Sequence, residues 1–198
     1  MERQEGTSLN DIRYDHKQRY LLALEYIKKK NLRHITDIAC GIGYGSFIMS
    51  HIKTVEIDAI EINKNAINKA KKFFYNDRIN FINQDVFTFK YRKTDLVVCF
   101  EFLEHTHKHE DLFKIISSIS DRLLISSPNE NIRPRLREPT NPFHVKHWRP
   151  EELENKLKEY NFIVKNWFCQ KNGKSPIRLG TNGKFMIAYC EKFKSLTS

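Results

Sequence analysis

The stretch HITDIACGIGYGS, residues 34–46, decides the fold. Its first part, HITDIA (34–39), is short and apolar enough for a buried strand, and a helix is predicted over 44–51. The turn between the two carries three glycines, Gly41, Gly43 and Gly45. Glycine permits a sharp turn and a close approach of the backbone to a ligand, and a helix start offers unpaired N–H groups to an anion. The segment therefore predicts a strand, a turn and a helix arranged around a ligand.

Outward from this unit, apolar segments of strand length alternate with segments of helical periodicity. Further strands are predicted at 54–62, 78–85, 94–100, 122–127, 161–169 and 184–193. Helices are predicted at 15–31, after Asn63, over 112–119 and from Pro150. Such alternation predicts an α/β fold with a parallel sheet and helices on both faces. The last two strands have no helix between them, which predicts an antiparallel pair at one edge.

The length of 198 residues fits one domain, which we divide into four parts. Residues 1–33 form an N-terminal cap helix, and 34–127 form the core that binds a cofactor. Residues 128–150 form an irregular loop that carries several prolines, and 151–198 form a C-terminal helix and the edge strands. A loop of this length without secondary structure is usually functional in a compact domain. We interpret it as a lid over the substrate.

Composition and charge narrow the class of protein. The net charge of +10 favours polyanionic partners, but the lysines are scattered and cluster only at 28–30 and 69–72, on predicted helices. The four cysteines form no CxxC pair, which predicts reduced thiols in the cytoplasm. The polar N-terminus does not resemble a secretory signal, and no apolar run approaches the roughly 20 residues that span a bilayer. The sequence therefore predicts a soluble cytoplasmic protein with no membrane span.

Two acidic residues at predicted strand ends indicate a nucleoside ligand. Glu61 ends the strand after the glycine turn, where its carboxylate is placed to accept both hydroxyls of a ribose. Asp85 ends the next strand and is placed to accept a bond from an adenine amino group, with Val86 or Phe87 packing against the ring. A strand-end cap is the competing interpretation of Asp85. Dinucleotide enzymes share a glycine-rich turn, but they carry GxGxxG, and the spacing here is GxGxG.

Four segments resemble, in order, the motifs of class I S-adenosylmethionine (SAM)-dependent methyltransferases. They are TDIACGIGYGS (36–46), AIEINKNAINKA (59–70), INQDVF (82–87) and DLVVCFEFLEH (95–105). The chain also resembles a subgroup of small bacterial-type enzymes in an early HxxRY helix (His16, Arg19 and Tyr20), in SSPN (126–129) and in NPFHV (141–145). The resemblance extends over about residues 2–165.

This resemblance implies a Rossmann-like fold, with a mostly parallel seven-stranded sheet that has an antiparallel edge strand. It also implies SAM as the cofactor. The expected cofactor-binding residues are Tyr14, Arg19, Tyr20, Asp37, Ala39, Gly41, Gly43, Glu61, Ile62, Asp85, Val86, Phe100 and Glu101.

The methyl acceptor is expected beyond the carboxyl ends of the strands, where three histidines fall. Methyl transfer from a sulfonium needs correct positioning and, for a hydroxyl acceptor, a group that removes a proton. His105, His144 and His147 are the candidate catalytic bases, with His144 pointing inward from the lid. After NPFHV, the subgroup pattern continues with an acidic residue, but this chain has Lys146 and His147, so no carboxylate role is expected at that place.

The segment FEFLEH permits a second interpretation, a metal site. Glu101, Glu104 and His105 lie within one turn, and His144 or His147 completes a set for a divalent cation such as Mg²⁺ or Mn²⁺. RNA-terminal 2′-O-methyltransferases and ubiquinone-pathway O-methyltransferases resemble this chain in ExxEH and use that motif for a divalent ion. The competing interpretation is that Glu101 contacts the cofactor or the backbone, while Glu104 and His105 cap the next helix.

The function expected from these residues is O-methylation of a small-molecule or glycan acceptor, because of the subgroup resemblance, a short chain without an added RNA-binding domain, and the histidines of the lid. RNA 2′-O-methylation with a metal at ExxEH is the alternative, supported by the net charge and by the basic segment IRPRLREP (132–139). A non-catalytic cofactor-binding subunit is disfavoured, because such a protein need not keep the glycine turn, Glu61 and the histidines.

Overall fold

A computed structural model describes residues 4–136 and 141–193. Its helices are α1 (Tyr14–Lys30), α2 (Tyr44–Met49), α3 (Lys64–Phe73), α4 (His109–Ile119) and α5 (Pro150–Glu159). Its strands are β1 (His34–Ile38), β2 (Glu56–Glu61), β3 (Ile79–Asn83), β4 (Leu96–Cys99), β5 (Arg122–Pro128), β6 (Phe162–Gln170), β7 (Arg178–Leu179) and β8 (Phe185–Lys192). A 3₁₀ turn, Leu103–His105, follows β4.

Within the described residues, the strands form one eight-stranded sheet in the order β3-β2-β1-β4-β5-β8-β6-β7. The strands from β3 to β5 in this order pair in parallel. Strand β8 is antiparallel to both of its neighbours, β5 and β6, and β7 is antiparallel to β6. Strands β1 and β4 are adjacent in the sheet. From β1 the next strands, β2 and β3, extend to one side, and from β4 the next strand, β5, extends to the other. The sheet therefore has a topological switch point between β1 and β4, where ligands bind in such folds.

The expected α/β class with antiparallel pairing near one edge is confirmed, and two details differ. The sheet has eight strands in the described residues instead of seven, because the two-residue strand β7 adds to β6. A strand this short has no periodicity to detect. The last strand, β8, also lies inside the sheet, between β5 and β6, and does not form its edge.

The central strands are apolar because both of their faces are covered. All residues of β4 are buried, and β5 is buried after its first residue. In the described part of the chain, the buried apolar side chains form two clusters. One contains residues of α1, α2 and α3, including Ala23, Ile48 and Ala70, and the other contains residues of α4 and α5, including Phe113 and Leu153. Helices thus cover both faces of the sheet.

Among the described residues, no helix combines the length and the apolar character needed to cross a bilayer.

Candidate functional site

A cavity of about 550 Å³ lies at the carboxyl ends of β1, β2 and β4, next to α1. Its volume is in the usual range for small-molecule sites. Ten of the predicted cofactor-binding, catalytic and metal-binding residues line it: Arg19, Tyr20, Ala39, Gly41, Glu61, Phe100, Glu101, Glu104, His105 and His144. The segments that meet here come from both ends of the chain, because His16 and Phe185 also line the cavity.

The glycine turn after β1 forms one wall of the cavity. A Cβ atom placed on Gly41 would meet no atom within 4 Å, so the backbone is open to the cavity at this position. A Cβ atom on Gly45 would lie 2.1 Å from the ring of Tyr20, which packs directly on the helix start. The first position therefore leaves room for a ligand, and the second is occupied by a side chain of α1.

The carboxylate of Glu61 links this turn to the start of α3. Its Oε2 atom accepts a hydrogen bond from the backbone N–H of Gly41 at 3.2 Å, and Oε1 accepts one from the N–H of Asn63 at 2.8 Å. Glu61 is buried and lines the cavity. An acidic group at the end of β2 thus lies beside the open backbone of the turn.

Asp37 lies beneath the turn and does not line the cavity. Ser46 Oγ donates to one carboxylate oxygen at 2.6 Å, and the hydroxyl of Tyr20 donates to the other at 3.3 Å. Burial raises the pKa of Asp37 to about 7, and the two hydrogen bonds only partly oppose this effect. Asp37 therefore joins α1, β1 and α2 through a carboxyl group that titrates near neutral pH.

The raised pKa of Asp37 predicts a stability that falls as pH rises. Below about pH 4 the carboxyl of Asp37 is protonated in both the folded and the unfolded protein. Between about pH 4 and pH 7 only the folded protein keeps the proton. The contribution of Asp37 to the free energy of unfolding is therefore lost as pH rises through the folded pKa. In Asp37→Asn the contribution is absent. We expect the free energy of unfolding of this variant, relative to the native protein, to increase by about 2 kcal/mol between pH 5 and pH 7.5.

Urea unfolding of the cofactor-free protein at these pH values measures the difference. Asp77→Asn is the control, because Asp77 is exposed at the surface. Equal pH dependence of the native protein and Asp37→Asn would show that Asp37 titrates normally.

Arg19 is the central charge of the wall formed by α1. Its side chain is buried, with Nε donating to Oε1 of Gln170 at 2.9 Å and Nη2 donating to Asp15 at 3.1 Å. Its Nη1 atom lies 3.5 Å from Oε2 of Glu101 and has no hydrogen-bond partner among the described residues. Nη1 of this buried guanidinium can therefore donate a hydrogen bond to a bound ligand.

His16 and Tyr44 lie next to this guanidinium in the cavity wall. Nδ1 of His16 is 3.0 Å from the hydroxyl of Tyr44. Burial and the charge of Arg19 lower the pKa of His16 to about 4, so its ring is neutral at pH 7. Tyr44 was not singled out in the sequence, since a tyrosine between two glycines has no pattern that distinguishes it from a packing residue.

Glu101 occupies a left-handed backbone conformation, with φ of 52°, directly after β4. Its N–H donates to Ser126 Oγ at 2.9 Å, and the same hydroxyl donates back to Oε1 at 2.9 Å. Burial alone raises the pKa of Glu101, but the charge of Arg19 and the bond from Ser126 outweigh it and leave the pKa lowered. Glu101 is therefore an ionised carboxylate held by groups of the protein.

Glu104, His105 and His144 form a second cluster on the cavity wall. One ligand atom from each of the three lies within 4.8 Å of the others. Neither carboxylate oxygen of Glu104 has a hydrogen-bond partner among the described residues, although the side chain is buried. Burial, with repulsion from Glu101, raises the pKa of Glu104. Glu101 itself, the fourth predicted ligand, lies outside this group.

A relay of hydrogen bonds orients His144. Nδ1 of His147 lies 2.8 Å from the carbonyl oxygen of Arg133, so this nitrogen carries the hydrogen of a neutral ring. Nε2 of His147 is then an acceptor, and it lies 2.7 Å from Nδ1 of His144, which must donate. The remaining nitrogen of His144, Nε2, is left with its lone pair. Burial and the neighbouring His105 lower the pKa of His144 to about 4, so this form persists at neutral pH.

The predicted residues that do not line the cavity have other contacts. His147 is buried behind His144. Asp85 accepts a hydrogen bond from the N–H of Phe87 at 2.9 Å, as a cap does. Val86 is buried in the apolar cluster of α4 and α5, whereas Tyr14 and Ile62 are largely exposed. The remaining two are Asp37 and Gly43, and a Cβ atom on Gly43 would clash with the ring of Phe81 at 2.6 Å.

The loop of residues 128–150 is described in part, because residues 137–140, including those of IRPRLREP beyond Leu136, lie outside the described residues. Arg133, Asn141 and His144 of this loop line the cavity. The backbone N–H of Val145 donates to the carbonyl oxygen of Glu104 at 2.7 Å, so the loop is bonded to the turn after β4.

Comparisons with known proteins identify the family of the chain. Residues 11–165 match the model of a family described as a methyltransferase domain. No curated protein matches the sequence significantly.

Several solved structures share the fold. The methyltransferase domain of bacterial CtHen1 is 17% identical, with a TM-score of 0.69, over 90% of this chain and 99% of that chain. The small RNA methyltransferase HEN1 is 18% identical, with a TM-score of 0.74, over 98% of this chain and 27% of that chain. The magnesium protoporphyrin IX methyltransferase of Synechocystis, with bound S-adenosylhomocysteine (SAH), is 15% identical, with a TM-score of 0.69, over 90% of this chain and 84% of that chain. At these identities the likeness shows the fold.

Proposed function

Because the chain belongs to the methyltransferase-domain family and is a class I SAM-dependent enzyme, we propose that it methylates a hydroxyl oxygen of a small-molecule or glycan acceptor. The observation that carries the proposal is the unprotonated Nε2 of His144, held by His147 in the wall of a small-molecule-sized cavity. A hydroxyl acceptor must lose a proton during transfer, and this nitrogen is placed to take it.

We propose that the cofactor lies along the glycine turn. The open backbone at Gly41 fits a close ligand, and the carboxylate of Glu61 fits the ribose hydroxyls. Arg19 offers its buried Nη1 to the cofactor carboxylate, while Tyr20, Ala39 and Phe100 shape the surrounding wall. We also propose that Asp85 accepts a hydrogen bond from the adenine amino group. The N–H of Phe87 already donates to Oδ1 of Asp85, and the other lone pairs of the carboxylate remain for the adenine.

The substitution Glu61→Gln tests this placement. We expect it to weaken SAH binding by about 10- to 100-fold, since hydrogen bonds to a charged group contribute about 1.5–3 kcal/mol. Titration calorimetry measures the affinity. The matched control is Glu56→Gln, at the exposed other end of β2, which should leave the affinity unchanged. If both variants bind equally well, Glu61 has no part in the cofactor site.

Methyl transfer from SAM to the acceptor oxygen is a direct displacement at the methyl carbon. SAM supplies a methyl group already activated on a sulfonium. The acceptor oxygen attacks the methyl carbon, the carbon–sulfur bond breaks with its electron pair remaining on sulfur, and the hydroxyl proton passes to Nε2 of His144. His147 acts as a positioning residue, because its ring bonds both His144 and the carbonyl of Arg133. The products are a methyl ether and SAH.

A divalent cation is an alternative proposal for the same wall, because the one lone pair left on His144, at Nε2, cannot both bind a cation and take a proton. The buried, unpartnered carboxylate of Glu104 fits a cation, and His105 and His144 provide nitrogen donors. A cation held there would lower the pKa of an acceptor hydroxyl. A mixed carboxylate and imidazole set suits Mn²⁺ better than Mg²⁺, which prefers oxygen ligands.

The same cluster favours a second candidate function, RNA 2′-O-methylation. Its support is the Glu104, His105 and His144 group together with the net charge of +10, since phosphate contacts draw on basic groups. The small RNA methyltransferase HEN1 shares the fold. Steep loss of activity with salt would accompany this function.

One experiment separates these proposals. Radiolabelled SAM is incubated with the protein and cell extract, with and without EDTA, and the label is measured in RNA, protein, and small-molecule or glycan fractions. We expect label in the small-molecule or glycan fraction. Label in RNA would replace the first proposal by the second, and loss of label with EDTA would support the cation. We also propose a cytoplasmic location, supported by cysteines that are free thiols in the described residues.

A further inference from the structure

We infer that Gln170 is a positioning residue for the cofactor, because its side chain fixes the direction in which the guanidinium of Arg19 donates hydrogen bonds. The inference rests on the proposed bond from Nη1 of Arg19 to the cofactor carboxylate, and it names the residue on which that bond depends. Gln170 is the last residue of β6 and is fully buried. It is not among the described residues that line the cavity, so it acts on the cofactor through Arg19.

The guanidinium of Arg19 is held at two of its three nitrogen atoms. Nε donates to Oε1 of Gln170 at 2.9 Å, and Nη2 donates to Oδ2 of Asp15 at 3.1 Å. Because the group is planar and rigid, the positions of two nitrogens fix the direction of the third. That third nitrogen is Nη1, which has no hydrogen-bond partner among the described residues. The bonds to Gln170 and Asp15 therefore set the direction in which Nη1 donates.

The amide of Gln170 has one orientation that suits its neighbours. Nε2 donates to the carbonyl oxygens of Asp15 at 3.2 Å and Ser175 at 3.3 Å, so both of its hydrogens are used. Oε1 then faces Nε of Arg19. The reverse orientation would set N–H groups against each other and would take the donor away from both carbonyl oxygens. The amide is therefore a fixed acceptor, as a preorganised binding site requires.

Packing holds the same guanidinium from one face. The Cζ atom of Arg19 lies 4.8 Å from the ring centroid of Phe185, which is buried. Phe185 is also the residue of β8 that pairs with Gln170 of β6. An aromatic face attracts a guanidinium and leaves its in-plane N–H groups available. One pair of neighbouring residues in the sheet thus fixes both the face and one edge of the guanidinium.

The charges around Nη1 match the amino-acid end of the cofactor, which carries a carboxylate and an ammonium group. Nη1 provides a cationic donor for the carboxylate, and the ionised carboxylate of Glu101, 3.5 Å away, provides a negative charge for the ammonium. Gln170 accepts from Arg19 without adding charge. A third carboxylate there, beside those of Asp15 and Glu101, would repel the carboxylate of the cofactor. A neutral acceptor therefore suits this place.

Two ligands separate the amino-acid end of the cofactor from its nucleoside. SAH contains both parts, and 5′-methylthioadenosine is a nucleoside thioether without the carboxylate and the ammonium. Titration calorimetry measures the affinity of each for the full chain and for the variants Gln170→Met, Gln170→Asn and Arg19→Met. Methionine removes the acceptor at similar volume. Asparagine keeps the amide, but it is one methylene too short to reach Nε of Arg19, and it serves if Gln170→Met does not fold.

We expect each Gln170 variant to weaken SAH binding by about ten-fold and to leave the affinity for 5′-methylthioadenosine unchanged. A purely structural role would weaken the binding of both ligands alike. In the Arg19→Met background, Gln170→Met should cause no further loss of SAH affinity, because its effect passes through Arg19. Thermal unfolding verifies that every variant is folded.

The matched control is Asn166→Leu. The side chain of Asn166, also on β6, accepts a hydrogen bond from the hydroxyl of Tyr26 on α1 at 2.9 Å. The control therefore removes a bond between the same two elements, at a residue outside the cavity lining, and it should leave both affinities unchanged.

Three results would contradict the inference in different ways. If Gln170→Met and Gln170→Asn bind SAH as the native protein does, or weaken both ligands by the same factor, Gln170 is not a positioning residue. If Arg19→Met lowers the preference for SAH over 5′-methylthioadenosine and the Gln170 variants do not, the positioning role alone fails. If Arg19→Met leaves that preference unchanged, the proposed bond from Arg19 to the cofactor fails, and the role of Gln170 fails with it.

Discussion

Replacing His144 by glutamine is expected to lower kcat by about 10²- to 10⁴-fold and to leave the affinity for SAH unchanged. The relay from Arg133 through His147 leaves Nε2 of His144 as an acceptor on the cavity wall. An amide in its place has no basic nitrogen and cannot take a proton. Single-turnover transfer from radiolabelled SAM to the acceptor fraction measures the chemical step directly.

The control for this variant is His51→Gln, because His51 caps the end of α2 at the surface through the carbonyl of Phe47. It should transfer methyl groups at the native rate. A rate for His144→Gln within about ten-fold of the native rate would exclude His144 as base and as ligand.

Gly45→Ala should lower the free energy of unfolding by about 3 kcal/mol, at the upper end of the range for overpacked cores. The added Cβ atom would lie 2.1 Å from the ring of Tyr20. This ring has little freedom to move, because it makes edge contacts with Tyr44 and Phe100 and its hydroxyl bonds Asp37. In a chain of this size the midpoint of thermal unfolding falls by about 6–12 °C.

A double-mutant cycle with Tyr20→Leu identifies the cause. If the clash with the ring is responsible, Gly45→Ala should be much less destabilising in the Tyr20→Leu background than in the native one, with a coupling of at least about 1 kcal/mol. Additive effects of the two substitutions would place the strain elsewhere in α2.

The sequence predicted those parts of the site that depend on local patterns. The glycine turn follows the apolar segment that forms β1, and Glu61 is the last residue of β2. The places of the turn and of Glu61 could therefore be predicted from the ends of these two strands. The alternation of strands and helices predicted the α/β class, but it did not predict the order of the strands in the sheet. Asp85 shows the limit of this reasoning, because an acid at a strand end has the same pattern whether it binds a ligand or, as its bond to Phe87 shows, caps a turn.

Local patterns in the sequence did not predict contacts between residues that are far apart in the sequence. Arg19 was expected in the site from the HxxRY resemblance, but its bond to Gln170 joins residues far apart in the sequence. Asn129 forms backbone hydrogen bonds with Lys184 and with Arg133, and no spacing in the sequence predicts the bond to Lys184. His147 was predicted as a base, whereas the structure places it behind His144, because the depth of a side chain in a lid depends on the whole fold.

The position of β8 between β5 and β6 has a consequence for synthesis on the ribosome. The five parallel strands are complete once residue 128 has emerged, but β5 stays an unpaired edge until residues 185–192 arrive. Gln170 and Phe185, which contact Arg19, arrive in the same interval. The nascent protein therefore exposes an aggregation-prone apolar edge until residues 185–192 have been translated, and it gains a complete cavity only when that edge is covered.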